Sequence, residues 1–429
     1  MVESSFVPSC LPEILAPAGE LISLQAALDA GCDAVYLGID CFSMRQMAAK
    51  GFSLENLPEA GARCHEAGRK LYLTLNTIVF EDETAHLRDV VERVKPHIDA
   101  AIVSDWAAIA ICRAAGVPFH CSTQMSCANS LSARFLKSMG AERVVLAREC
   151  TLGEIRRIAA EARIETEIFV HGATCVAESG RCFLSHEAYG RSCNRGTCLQ
   201  PCRREYHISE VRKGRDAEAE FVVGTGYVLS ARDLCSLPFL DQVWQTGAAS
   251  WKIEGRARNA DYVHMVVSAY RRGRDALAKG SWTAHLGLEL QGLCERVYHR
   301  PFGQSLFNGR PGVDQFTEDD RNMAKVLKLN LGVVRNYYAK PSIAEILVQD
   351  HLLRPGARLS IQGPTTGLVE FDAEELRQDE RSLEEVPPGQ WCTLRVPRKV
   401  RLNDRVFLVV RNPNTFEGDS LQPPPDLPA

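Results

Sequence analysis

The chain has 429 residues, 45% of them hydrophobic, with 50 Lys+Arg against 54 Asp+Glu and a formal charge of −4. At this length a single core stops growing, which predicts one large domain and a smaller one. The charge balance excludes a uniformly basic nucleic-acid coat and leaves only a local basic patch for RNA. The sequence contains no run of about eighteen apolar residues and no secretory leader pattern, so a cytoplasmic protein without membrane partners is expected.

After an N-terminal tail (1–12), EILAP reads as a strand and LISLQAALDAG as a helix closed by glycine. The pattern repeats through CDAVYLGI, LYLTLNTIVF, AAIVSD, PFHCSTQ and RVVLARE, each followed by a helical segment, and reaches a seventh strand at ETEIFVHG. A hairpin-like pair, EYHISEVR and EFVVGTGYVLS, precedes an eighth strand, ASWKIEG, and the helix NADYVHMVVSAYRRGRDALAKG. Eight buried β-rich runs, nearly all alternating with helices, predict an α/β fold: a TIM-like (β/α)8 barrel over 13–280 with a Cys-rich insertion over 172–230 after strand seven. An open doubly wound sheet is the rival. The barrel is favoured because polar residues recur where strands end (Asn76, Asp105, Ser122 to Gln124, Arg148, Glu149, His171, Lys252 and Glu254), and barrel loops converge on one mouth.

Residues 281–327, with the turn-rich HRPFGQSLFNGRPG, read as a linker. Short strands between Gly, Pro and Asp turns over 328–412 predict a small β-barrel, and the Pro-rich 413–429 a disordered tail. RVPRKVRLNDR in the small domain carries five Arg or Lys in eleven residues; it reads either as a phosphate contact or as a solvated edge strand.

Of the 16 cysteines, most sit singly in apolar runs, as Cys32 and Cys112 do, and read as small core residues. Five cluster between Glu167 and Cys202, and Cys175, Cys182, Cys198 and Cys202 give C-x6-C-x15-C-x3-C with Cys193 between the pairs. Clustered thiols in a reducing compartment point to a metal before a disulfide. The wide first pair disfavours structural zinc, and nearby Gly180, Gly190 and Gly196 suit close approach to an iron-sulfur cluster. Iron-sulfur, zinc and unliganded thiols all remain open on the residues alone.

The string EIFVHGATCVAESGRCFLS, continuing into RSCNRGTCLQPCRR and later VLSARDLC and SWKIEGR, resembles the signature of the U32 peptidase family, the collagenase-like proteins. The resemblance spans 13 to about 280, and the terminal β-domain is similar to that of long members. Thr174 and Cys193 depart from the family pattern without removing a ligand position. The resemblance implies a 4Fe-4S cluster on Cys175, Cys182, Cys198 and Cys202, and hydroxylation of RNA: the tRNA wobble uridine in the anticodon loop, or an rRNA cytidine, with prephenate as hydroxyl donor. An electron donor or cluster-assembly system is then a further partner. Peptidase activity and a role in oxygen-independent ubiquinone hydroxylation are the alternatives.

For the hydroxylase, Arg45, Arg148 and Arg256, just after strands two, six and eight, suit a dicarboxylate, with Asn76 and Gln124 as further binding residues. His171 and Glu167 on strand seven and Lys252 and Glu254 on strand eight are the acid-base candidates, each with an ordinary structural alternative. Tyr36 and Phe42 are candidates for stacking on a base, with core packing the commoner role of such aromatics, and the β-domain for holding RNA outside the mouth. For a peptidase, Cys175 near His171 or His186 is the crowded candidate, but no G-x-S-x-G or H-E-x-x-H occurs.

Overall fold

In the computed structural model, which describes residues 11–48, 51–210, 221–309, 315–318, 321–379 and 381–415, the short apolar runs are strands. They are β1 (Glu13–Pro17), β2 (Ala34–Leu37), β3 (Lys70–Leu75), β4 (Ala100–Val103), β5 (Phe119–Cys121), β6 (Arg143–Val145) and β7 (Glu165–Ala173). After the hairpin β8 (Tyr206–Glu210) and β9 (Phe221–Gly226) and the short β10 (Asp233–Cys235), the eighth barrel strand is β11 (Ser250–Ile253). Neighbours pair in parallel from β1 to β7, and β11 pairs in parallel with both β7 and β1, which closes the barrel. Closure leaves no free edge, and helices cover the outside of every strand, so both faces of each run must be apolar.

The outer helices begin at the mouth end and are capped there by their own sequence. Asp105 accepts from Ala107 N at 2.8 Å to start α4 (Trp106–Ala115). Thr151 and Glu154 form a capping box on α6 (Leu152–Glu161). The main core lies between strands and helices, and a small apolar set (Leu15, Ala34, Tyr36, Tyr72, Ala100, Ile102) fills part of the barrel interior.

Where a linker was expected over 281–327, α10 (Ala284–Cys294) packs on α9 (Ala260–Ala278), and β12 (Phe302–Gly303) pairs with β10. Leu290, Cys294 and Phe307 belong to the barrel core, so this segment is part of the large domain. Its turn formers masked the helical stretch AHLGLELQGLC.

The C-terminal region is a separate antiparallel sheet domain. Its strands are β13 (Val326–Tyr338), β14 (Ile343–Val348), β15 (Ala357–Gly363), β16 (Gly367–Ala373), β17 (Arg377–Gln378), β18 (Arg381–Ser382), β19 (Trp391–Arg395) and β20 (Arg405–Arg411). They pair in the order β16-β15-β20-β13-β14-β19-β17-β18 around their own core. The domain lies against α9 and α1 (Leu21–Asp29), tied by Lys328–Asp261 at 2.8 Å, Arg398–Asp29 at 2.7 Å and Arg296–Glu370 at 3.0 Å. It therefore flanks the outer helices, and Arg398 of the basic segment is used in this docking. The expected tails lie outside the described residues before residue 11 and after residue 415, and Pro413–Thr415 form a short 3-10 turn. No helix among the described residues is long and apolar enough to cross a membrane.

Candidate active site

The loops after the strands enclose a cavity of about 120 Å³ at the barrel mouth. Its floor and walls include Tyr36, Arg45, Asn76, Gln124, Arg148, Lys252, Glu254 and Arg256; the segment after β7 roofs it with Cys175, Cys182, Cys198 and Cys202. Twelve residues predicted from strand ends and cysteine spacing thus meet in one place. Barrel closure is what brings loops so distant in sequence together.

Four cations face this cavity. Lys252 Nζ lies 2.8 Å from Glu167 Oε1 and 4.4 Å from the Tyr36 ring centre. Arg148 lies 3.9 Å above the Phe169 ring, donates to Ala173 O at 2.8 Å, and stands 3.8 Å from Glu254. Arg256 donates to Ser43 Oγ at 2.8 Å and Thr74 Oγ1 at 2.7 Å, while its buried Nε has no partner. Arg45 makes no hydrogen bond or ion pair among the described residues. Burial alone would raise the Glu254 carboxyl; Arg45, Arg148 and Arg256 more than offset that and hold it below the usual carboxylate range. Burial lowers both Lys252 and Arg256, with Glu167 opposing the effect at Lys252.

Gln124 stands 3.5 Å from Asn76, whose Oδ1 accepts from Met44 N at 3.1 Å and so orients the loop carrying Arg45. Tyr36 is 2% exposed and donates to Ile253 O at 2.9 Å; Phe42 is buried against His86. Neither ring is free to stack on a base; both are buried, the ordinary core reading of such aromatics. Tyr36 is instead the wall against which Lys252 rests.

His171 and Glu167 are not at the mouth. The register shift between β7 and β11 pairs Phe169 with Lys252 and His171 with Ile253, so Val170 is an extra residue. Such a bulge reverses which face the following side chain takes. His171 therefore points outward among Tyr262, Tyr270 and Phe302, with ring centres 5.5 to 5.9 Å away. Burial there pushes it down to about 3, so it is a neutral packing residue and not the acid-base group expected. Glu167, fully buried inside the barrel, bonds Lys252 at 2.8 Å and Arg143 at 3.2 Å, and Arg143 also reaches Glu13 and Glu165. This charge network fills the barrel below the cavity, which makes Glu167 structural.

The roof is held by contacts that the sequence reading missed. Glu149 accepts from Ser179 N at 2.8 Å and Ser179 Oγ at 3.0 Å. Arg203, next to Cys202, donates to Thr174 O, Ala231 O and Ser230 Oγ, and Thr174 adjoins Cys175. One guanidinium thus ties the two ends of the cysteine segment. Gly196, at φ +82°, lies so close to the loop after β2 that a Cβ would stand 2.1 Å from Ser43 O. Only the run of Arg after Cys202 hinted at this brace.

The four expected cysteines supply soft thiol donors at one roof, and the backbone serves three of them as it would cluster ligands. Sγ of Cys175, Cys182 and Cys198 each accept a backbone N–H from two residues on: Ala177 at 3.4 Å, Leu184 at 3.3 Å and Gln200 at 3.3 Å. N–H groups aimed at sulfur in this way are the donors that cluster-bound cysteines commonly receive; burial raises the Cys202 thiol. Cys193 instead donates to Cys182 O, and burial raises it to about 11. Among the described residues no three His, Cys, Asp or Glu side chains are grouped as one metal ion requires, and no histidine bonds a roof thiol.

A closed parallel barrel whose mouth holds clustered cations beneath a cysteine-bearing roof has the form of a small-molecule binding site built on loops. The chain belongs to peptidase family U32, whose model matches residues 19–317. It is 36% identical to an uncharacterized protease of Methanocaldococcus jannaschii, covering 92% of this chain and 98% of that protein. It is 33% identical to a collagenase of Porphyromonas gingivalis, covering 92% and 97%. It is also 33% identical to a tRNA hydroxylation protein of Bacillus subtilis, covering 82% and 84%.

Proposed function

We propose that this chain is an iron-sulfur-dependent RNA hydroxylase that forms 5-hydroxyuridine at the tRNA wobble position with prephenate as hydroxyl donor. One observation carries the reading: the four cysteines and the four cations line the same cavity. Cys175, Cys182, Cys198 and Cys202 would hold a 4Fe-4S cluster, which when bound would supply electron transfer at the cavity roof. Arg45 and the unpartnered Nε of Arg256 supply donors for a ligand carboxylate, and Arg148 and Lys252 add positive charge beside them. Glu254, kept ionised by these cations, is the carboxylate that holds them at the mouth and the acid-base candidate there, although the same cations make it a weak proton acceptor.

The relative named for tRNA hydroxylation supports the RNA class of substrate, and relatives named protease or collagenase favour the peptidase alternative. A thiol peptidase needs a base beside its nucleophile, and His171 lies behind β7. Mass spectrometry of tRNA nucleosides from a deletion strain tests the proposal. Loss of 5-hydroxyuridine derivatives is expected; an unchanged nucleoside profile refutes it. Anaerobic purification with iron and zinc quantitation tests the cofactor, and one equivalent of zinc without iron overturns it.

A further inference from the structure

The outer surface of the roof carries side chains that the cavity does not use. Phe183 is 72% exposed and Tyr189 40% exposed, on either end of α7 (Leu184–Tyr189). The Arg204 guanidinium stands 5.2 Å from the Tyr189 ring centre. At the rim, Phe80 is 56% exposed under Arg195 at 4.7 Å. Residues 181–204 contain five arginines and one carboxylate, in a chain whose formal charge is −4. The segment is therefore locally basic, with Arg181, Arg191 and Arg204 exposed and Arg195 paired with Glu83.

A phenylalanine left mostly in water forgoes the burial that ordinarily stabilises the fold. Aromatic faces interleaved with arginines are the arrangement that binds unpaired nucleotides: bases stack on the rings and the guanidiniums meet the phosphates. We propose that the outer face of the roof, centred on Phe183, Tyr189 and Arg204 and extending to Phe80, is the docking surface for a single-stranded RNA loop. This rests on the RNA reading above and adds the place where the strand lies. The surface borders the cavity, so a loop held there presents one unstacked base to the mouth, while the C-terminal sheet along α1 and α9 is left out of the contact.

The experiment is fluorescence anisotropy of a labelled anticodon stem-loop RNA with anaerobically purified full chain, over a range of salt concentrations. Phe183→Ala is expected to weaken binding about tenfold or more, the loss of one stacked base. Arg204→Ala and Arg191→Ala are each expected to weaken binding and to lower the slope of log affinity against log salt by about one. Circular dichroism and iron content matching the parent establish that the variants are folded. Wild-type affinity and salt slope in all three folded variants overturn the surface even if the deletion strain loses its hydroxyuridine, which separates this failure from failure of the reaction. Sedimentation showing a dimer that Phe183→Ala dissociates, with RNA binding unchanged, also overturns it and makes the face a contact between copies.

Discussion

Replacing Glu167 with Gln tests whether the charges inside the barrel hold the fold or do chemistry. The carboxylate is fully buried, 2.8 Å from Lys252 and 3.2 Å from Arg143. Burial opposes its ionisation, but Lys252 and Arg143 more than compensate and bring it down to about 2 from the ordinary glutamate value of 4.5. At about 1.4 kcal/mol per pH unit, the difference is worth about 3 kcal/mol to the folded state. Removing one member of a buried pair and stranding its cations costs about 3–5 kcal/mol, which agrees in size. The expected result is an unfolding free energy lowered by that amount, followed through the fluorescence of Trp251, next to Lys252 in β11 and packed against Trp244 between strand and outer helix. The sign of the pH dependence follows: the stabilisation is complete above about 4.5 and is lost as pH falls towards about 2. An unchanged unfolding free energy together with abolished tRNA hydroxylation would refute the structural assignment and return Glu167 to the reaction.

Arg203→Lys keeps the charge but cannot span Thr174, Ala231 and Ser230 at once; faster alkylation of Cys175 and Cys202 in metal-free protein, and weaker iron retention, are expected, and parent-like alkylation rates contradict the brace. Gly196→Ala places a methyl group against Ser43 O at a positive φ, so trypsin should cut the roof faster at Arg191 and Arg195; unchanged digestion would mean that the roof seats without this contact. His120 and His171 are both held neutral, at about 3, by burial. Because the unfolded chain takes up their protons first, stability should fall as pH drops below about 6.5, by about 1.4 kcal/mol per pH unit for each group. His171→Phe should remove one proton's share of that slope and still make the tRNA product, whereas lost product at full stability would restore a chemical role.

The alternation of buried runs with helices was legible from Glu13 to Ile253 because a parallel barrel needs strands apolar on both faces, whatever their order in space. Strand ends were legible too: Arg45, Arg148, Lys252, Glu254 and Arg256 follow or end their strands in sequence, and closure carries them to one cavity. The segment 172–230 was recognisable by its cysteines, and the spacing separated Cys193 from the rest before its thiol was seen donating to Cys182 O. Which way a side chain points was decided only in three dimensions. The extra residue at Val170 turns His171 out of the barrel, and a one-residue irregularity leaves no mark in hydrophobic periodicity. Likewise Arg203 reads as one more arginine until its carbonyl partners, 29 and 28 residues away, are brought beside it. Hydrogen bonds between distant segments, and the packing of α10 and the C-terminal sheet on the outer helices, depend on the assembled surfaces and not on any local pattern.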